Sequence, residues 1–172
     1  MIRIRIATLA DIPSIARHRT QMFLEMGRIQ APAVGPLADA TVEYRKRALP
    51  SGEYLGWMAV LDADASRVVG GAGVQRRRVL PFGFPDGSIA SGDQAIVVNV
   101  FCEAEMRRKR VARALMETVI AWAKAERMDS LVLHASSDGR PLYESLGFAQ
   151  TNEMRFVEML RADQPVADPL RD

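Results

Sequence analysis

The stretch at residues 95–115 constrains this chain more than any other. Ala95-Ile96-Val97-Val98-Asn99-Val100-Phe101 is dominated by β-branched side chains and reads as a buried strand. The chain then passes Glu103 and Glu105 and crowds together Arg107, Arg108, Lys109, Arg110 and Arg113. Beyond the cations, Val111, Ala112, Leu115, Val119, Ile120 and Ala123 recur at three- and four-residue steps, which predicts an amphipathic helix with one apolar face. A strand therefore feeds a basic turn, and the turn opens a helix. Such an order fits a layered α/β architecture.

Cations at a helix N-terminus are badly placed. The free N–H groups there carry partial positive charge, so each added cation is unfavourable by a few tenths to ~1 kcal/mol when exposed, and neighbouring cations repel one another. An anion resolves the conflict, because amides, helix dipole and side chains then act on one negative charge. A phosphate or pyrophosphate fits that description. The alternative is a solvated basic surface turn.

Composition narrows the field. At 172 residues the chain has the length of one domain with a substantial core. No run approaches the ~20 apolar residues of a membrane span, and no apolar leader core opens the sequence, so a cytoplasmic protein is expected. Cys102 is the only cysteine and there are two histidines, which leaves no intrachain disulfide and no Cys/His zinc cluster; no metal is expected. The net charge of +2, from 23 basic and 21 acidic residues, is too mild to argue for nucleic acid.

In order, Ile2-Arg3-Ile4-Arg5-Ile6 alternates as a half-buried strand, and a helix with Pro13 in its first turn ends before Gly27, its C-cap. Ile12, Ile15, Ala16, Met22, Phe23 and Met26 make its apolar face, which Arg19 interrupts; His18 and Glu25 lie on a neighbouring stripe. Residues 30–38 read as a loop and 39–49 as a second helix carrying Val42, Tyr44 and Leu49. Two strands follow, at 53–61 and 67–80, joined by Asp62-Ala63-Asp64. Gly70-Gly71-Ala72-Gly73 within the second predicts a bulge or a close approach by other groups. Arg76, Arg77 and Arg78 are either an exposed strand end or an added attraction for an acidic ligand. Residues 81–92 have the composition of a loop. After the long helix, a strand is expected at 130–134, a short helix from Asp138 and Gly139, a last strand at 154–160, and an unpacked tail.

Two blocks carry a family resemblance. Arg107-Arg108-Lys109-Arg110-Val111-Ala112, between strand and helix, resembles the (Q/R)xxGx(G/A) motif of the GCN5-related N-acetyltransferase superfamily. Leu142-Tyr143-Glu144-Ser145-Leu146-Gly147-Phe148 is similar to its LYExxGF block, and the opening strand and helix are similar as well. Arg110 stands where the family has glycine, and Ser136 where many members have asparagine. The resemblance implies a three-layer α/β/α sandwich around a mixed, mostly antiparallel sheet with a splayed central strand pair. It implies a domain over 1–161 and a flexible tail over 162–172.

It also implies acetyl-CoA as cosubstrate. Backbone groups of Val100, Phe101 and Cys102 would pair with its pantetheine arm, and Arg107, Arg108, Lys109, Arg110, Val111, Ala112, Arg113 and Ser136 would hold the remainder. The implied reaction is direct acetyl transfer to a primary amine of a small molecule or peptide, with Tyr143 as the acid that protonates the departing thiolate. The other reading of Tyr143 is a core side chain packed beside Leu142 and Leu146. Candidates around the acceptor are Arg19, Glu25, Asn99 and His134. The base stays open among Glu25, Glu103, Glu105, His134 and a water positioned by Asn99. Cys102 has no clear histidine partner, which speaks against a thiol-based acyl-enzyme. A second class of function is a non-catalytic acyl-CoA binder or a nucleic-acid binder on the same fold; against the latter, the basic turn has no interleaved aromatics. A homodimer is compatible with the family.

Overall fold

The computed structural model describes residues 1–153. The alternating N-terminal run forms β1 (Ile2–Ile6), an edge strand. Asp11 closes the connection to α1 (Ile12–Glu25): its carboxylate accepts from the Thr8 amide at 2.7 Å and takes a two-pronged contact from Arg5 at 2.7 and 2.8 Å. The next helix, α2 (Val34–Ala48), starts five residues earlier than the sequence suggests. Gly35 and Pro36 fall in its first turn, where the missing proline N–H has no intrahelical acceptor to lose.

β2 (Tyr54–Leu61) and β3 (Asp64–Arg78) form the expected hairpin, with Leu61 opposite Asp64 so that the turn is tighter than Asp62-Ala63-Asp64. The loop over 81–92 contains a small ladder of its own, β4 (Phe82–Gly83) with β5 (Ile89–Ala90). β6 (Asp93–Cys102), α3 (Val111–Ala125) and β7 (Ser130–Leu133) follow. The main sheet runs β1-β2-β3-β6-β7; all neighbours are antiparallel except β6 and β7, which are parallel.

Alternation along β2 assigns the two faces. Tyr54 and Met58 pack with Ile15 of α1 and Ala48 of α2, whereas Trp57 points the other way and meets Trp122 of α3 edge-on at 5.5 Å. The glycine run in β3 answers both sequence expectations. A Cβ on Gly73 would lie 2.1 Å from the Tyr54 hydroxyl, so the phenol needs a glycine beneath it. The ladder to β6 also skips here, Gly71 facing Phe101 and Gly73 facing Val98, which is a bulge on the β6 side.

Residues Met1–His134 make one compact unit that holds both sheets and α1 to α3, and a second unit begins at Ala135. In the second, α4 (Arg140–Glu144) carries Tyr143, whose ring meets Phe148 edge-on at 6.1 Å and lies against Gly139, where a Cβ would come within 2.9 Å of it. The strand expected at 154–160 and the tail from 162 lie outside the described residues.

Candidate active site

β6 is paired to β7 only over 94–97, against Ser130–Leu133, yet it continues to Cys102. On the side facing β7, residues 98–102 have no strand partner among the described residues. The bulge falls in this open segment. Asn99 takes a left-handed φ of 57°, a conformation asparagine tolerates better than most residues, and its side chain is buried as a result. Asn99 Oδ1 accepts from Arg19 Nη1 at 2.7 Å, while its buried Nδ2 has no hydrogen-bond partner among the described residues.

Phe101 is fixed from the α1 side. The His18 ring lies 4.8 Å from it, with Nε2 3.3 Å from Glu103 Oε1 and 3.2 Å from Arg17 Nη2. Burial pushes the His18 pKa down to about 4; the Arg17 charge adds to that and Glu103 opposes it, so the ring is neutral at neutral pH. Cys102 is half-buried, and desolvation pushes its thiol up to about 11 against the opposing influence of Arg107 and the Ala112 N–H.

The basic turn is built from two left-handed residues, Arg108 at φ 60° and Arg110 at φ 63°, the second being the N-cap of α3. No backbone–backbone hydrogen bond among the described residues uses the amides of Arg108 or Arg110, and the helix itself leaves those of Val111 and Ala112 without intrahelical acceptors. Arg108, Lys109 and Arg110 are exposed and enter no ion pair among the described residues. Arg113 pairs with Glu117 at 3.7 Å. Arg107 turns back instead, donating to the Cys102 carbonyl at 3.3 Å and to Glu25. Two residues assigned separate tasks by the sequence, Arg107 and Glu25, are thus partners. Glu103 and Glu105 pair with Arg17 and Arg67, not with the cations of the turn.

On the α1/α2 face, a cavity of about 310 Å³ opens between the helices and the sheet. Arg19, Thr41, Tyr44, Arg45 and Gln75 supply its polar lining, Leu37 and Val98 part of the apolar one. Arg19 is the one lining residue singled out by the sequence. Tyr44, Arg45 and Gln75 were missed as site residues. A signal existed: Thr41, Arg45 and Ala48 sit at four- and seven-residue spacing and are all buried, so an arginine occupies the packed stripe of α2. His134 is exposed, one residue past β7. Ser136, in the second unit, is exposed and accepts from the amides of Gly139 and Arg140 at the start of α4.

Among the described residues no group of three or more His, Cys, Asp or Glu is arranged to hold a metal, and no helix is long and apolar enough to cross a membrane.

A family model described as an acetyltransferase (GNAT) domain matches residues 41–162. A GCN5-related N-acetyltransferase from Ralstonia eutropha is 24% identical with a TM-score of 0.79, over 91% of this chain and 97% of its own. A predicted acetyltransferase with acetyl-CoA from Clostridium acetobutylicum is 20% identical with a TM-score of 0.76, over 93% and 97%. An aminoglycoside N-acetyltransferase, AAC(6')-Iy, in complex with CoA, is 17% identical with a TM-score of 0.69, over 94% and 96%. At these identities the likeness is one of fold. Comparison with curated protein sequences gave no match.

Proposed function

The chain belongs to the acetyltransferase (GNAT) domain family, and from that premise we propose that it transfers the acetyl group of acetyl-CoA to a primary amine by direct attack. The observation that carries this reading is the open segment of β6 at 98–102, which leads directly into a turn with unclaimed amides and exposed cations. An extended ligand can add to such an edge as a further strand, and its anionic end can reach a helix N-terminus. The left-handed geometry of Arg108 and Arg110 fits that use, because a turn of this shape directs successive amides toward one anion.

When bound, acetyl-CoA supplies an activated acetyl thioester. In this reading the backbone of Val100, Phe101 and Cys102 aligns the extended arm, and an N–H of β6 stabilises charge developing on the carbonyl oxygen. The amides of Arg108, Arg110 and Val111, with the side chains of Arg108, Lys109 and Arg110 and the backbone of Ala112 beside them, hold the phosphates, and Ser136 adds a polar contact. Tyr143 gives a proton to the departing sulfur; a phenol with a pKa of ~10 is matched to an alkyl thiolate. Cys102 takes no covalent part, since its thiol is protonated at neutral pH.

Thermal unfolding with acetyl-CoA, and with ATP as polyanion control, tests the cofactor assignment. Ligand at a hundredfold over its Kd adds ~2.7 kcal/mol, and each kcal/mol moves the midpoint of a chain this size by roughly 2–4 °C. A shift of several degrees specific to acetyl-CoA is expected; an equal shift with ATP would reduce the turn to a general anion site. For Tyr143→Phe, turnover should fall by roughly 10²-fold with little change in acetyl-CoA affinity. Unchanged turnover would remove Tyr143 from the mechanism.

A further inference from the structure

We infer that the acceptor amine carries an oxyanion, a carboxylate or a phosphate, and that Arg45 and Arg19 hold it in the cavity between α2 and the sheet. The assignment of an acceptor rests on the acetyltransferase reading; the demand for an anion rests on the cavity alone.

Arg45 is only 4% exposed, and its Nε is buried with no hydrogen-bond partner among the described residues. No carboxylate among the described residues lies within ion-pairing distance of Arg45 or Arg19. Glu53, on the same side of the sheet, is already engaged: it accepts from the Tyr44 hydroxyl at 2.6 Å and from Arg47 at 2.8 Å. What Arg45 has instead is aromatic. Its guanidinium lies 3.3 Å from the centroid of the Tyr54 ring and 5.2 Å from that of Tyr44. Ring faces offset part of the cost of burying a cation, and they also hold the planar fork in one orientation. Arg19 is held as firmly, by Asn99 at 2.7 Å and by the Phe23 ring at 4.7 Å.

Two guanidiniums lining one cavity repel each other, and burial disfavours the charge on both. The C-terminal end of α2 favours a cation in its last turn, but Lys46 and Arg47 meet that need from the exposed side. It gives no reason to bury Arg45. An oxyanion supplies the missing counter-charge, since the guanidinium fork matches carboxylate and phosphate oxygens in pairs.

The remaining lining limits the rest of the acceptor. Gln75 and Tyr44 offer neutral polar contacts, Gln75 Nε2 donating to the Tyr44 hydroxyl at 2.9 Å, and Leu37 and Val98 offer apolar ones. A volume of about 310 Å³ suits a molecule of amino-acid size. Val98 both lines the cavity and begins the open segment of β6, so an anion anchored at Arg45 holds the amine beside the edge proposed to receive the thioester.

The test uses the full chain and two readouts. Calorimetry without acetyl-CoA compares N-acetylalanine with N-acetylalaninamide, and O-phosphoethanolamine with ethanolamine. In the first pair, acetylation removes the amine and its ionisation from the comparison. The anionic member of one pair should bind roughly tenfold or more tightly than its neutral counterpart, and which pair responds tells carboxylate from phosphate. Arg45→Met should erase the preference; Arg19→Gln should weaken it severalfold and keeps the test open if the first variant does not fold. Equal binding within both pairs, or a preference that survives both substitutions, overturns the proposal. The second readout is thiol release from acetyl-CoA with alanine, alaninamide, O-phosphoethanolamine and ethanolamine as acceptors. Turnover of neutral amines without anion preference keeps the acetyltransferase and overturns the anion site. Anion-selective binding without thiol release from any amine does the reverse.

Discussion

Cys102 shows how far a single side chain can be judged from its surroundings. It stands at the end of β6, where a nucleophile would be well placed, but its thiol is pushed up to about 11, first by burial, and the buried imidazole on the α1 side, His18, is engaged with Glu103 and Arg17. A thiol with that pKa is almost wholly protonated at pH 7 and is a poor nucleophile. Cys102→Ala should therefore keep activity within about twofold, and a loss of 10³ or more in kcat would return the thiol to the mechanism. Arg19 was legible as a residue apart, because it breaks an apolar helix face. Arg45 was not. The sequence reading rested that helix on Val42, Tyr44 and Leu49, of which only Tyr44 lines the cavity; the buried stripe is Thr41, Arg45 and Ala48, so Arg45 faces in.

The element that distinguishes this chain is the turn between β6 and α3. Left-handed backbone at an L-residue other than glycine costs roughly 1–2 kcal/mol, and this turn contains two such residues. Glycine at position 110 would remove one of those costs and would lose part of the gain to the entropy of a freer unfolded chain. It would also take one cation from a helix N-terminus, worth a few tenths of a kcal/mol. Arg110→Gly should thus raise the unfolding free energy by about 0.5–1 kcal/mol. Arg110→Ala keeps the backbone strain and loses only the cation, so urea denaturation of the three proteins separates the two contributions. A glycine variant no more stable than the alanine variant would mean that the turn is not strained. The sequence foretold the order strand, basic turn, helix, because periodicity and charge are local properties. That the central pair splays came only through the family resemblance, and that the two strands part after Val97 was not legible, since where they part depends on tertiary packing that neither strand's own pattern records.

At the scale of the whole molecule, two groups buried in Met1–His134 make stability depend on pH in the same direction. His18 titrates near 6.5 when unfolded and near 4 when folded, with burial the main cause and Arg17 next. Between those values the unfolded chain binds the extra proton, so unfolding becomes easier as pH falls through this window. Among the described residues Glu103 is the charged neighbour that favours a protonated His18, and its influence is outweighed. Asp11 acts lower on the scale. Its hydrogen bonds from Arg5, and secondarily from Thr8, hold its pKa below the usual carboxylate value. Its contribution is fully present above the unfolded value of ~3.9 and is lost as pH falls through the folded one. Acid should therefore weaken the fold in two stages, the first assigned to an imidazole and the second to a carboxylate. Urea unfolding of wild type and His18→Gln at pH 7.5, 6.5, 4 and 3 would resolve them. The variant should start less stable, having lost the ring packed on Phe101, but its unfolding free energy should fall less between pH 6.5 and 4 than that of wild type. Parallel slopes would mean that His18 takes up its proton as readily folded as unfolded, and the packing that fixes the open edge of β6 would then have to tolerate a charged imidazole.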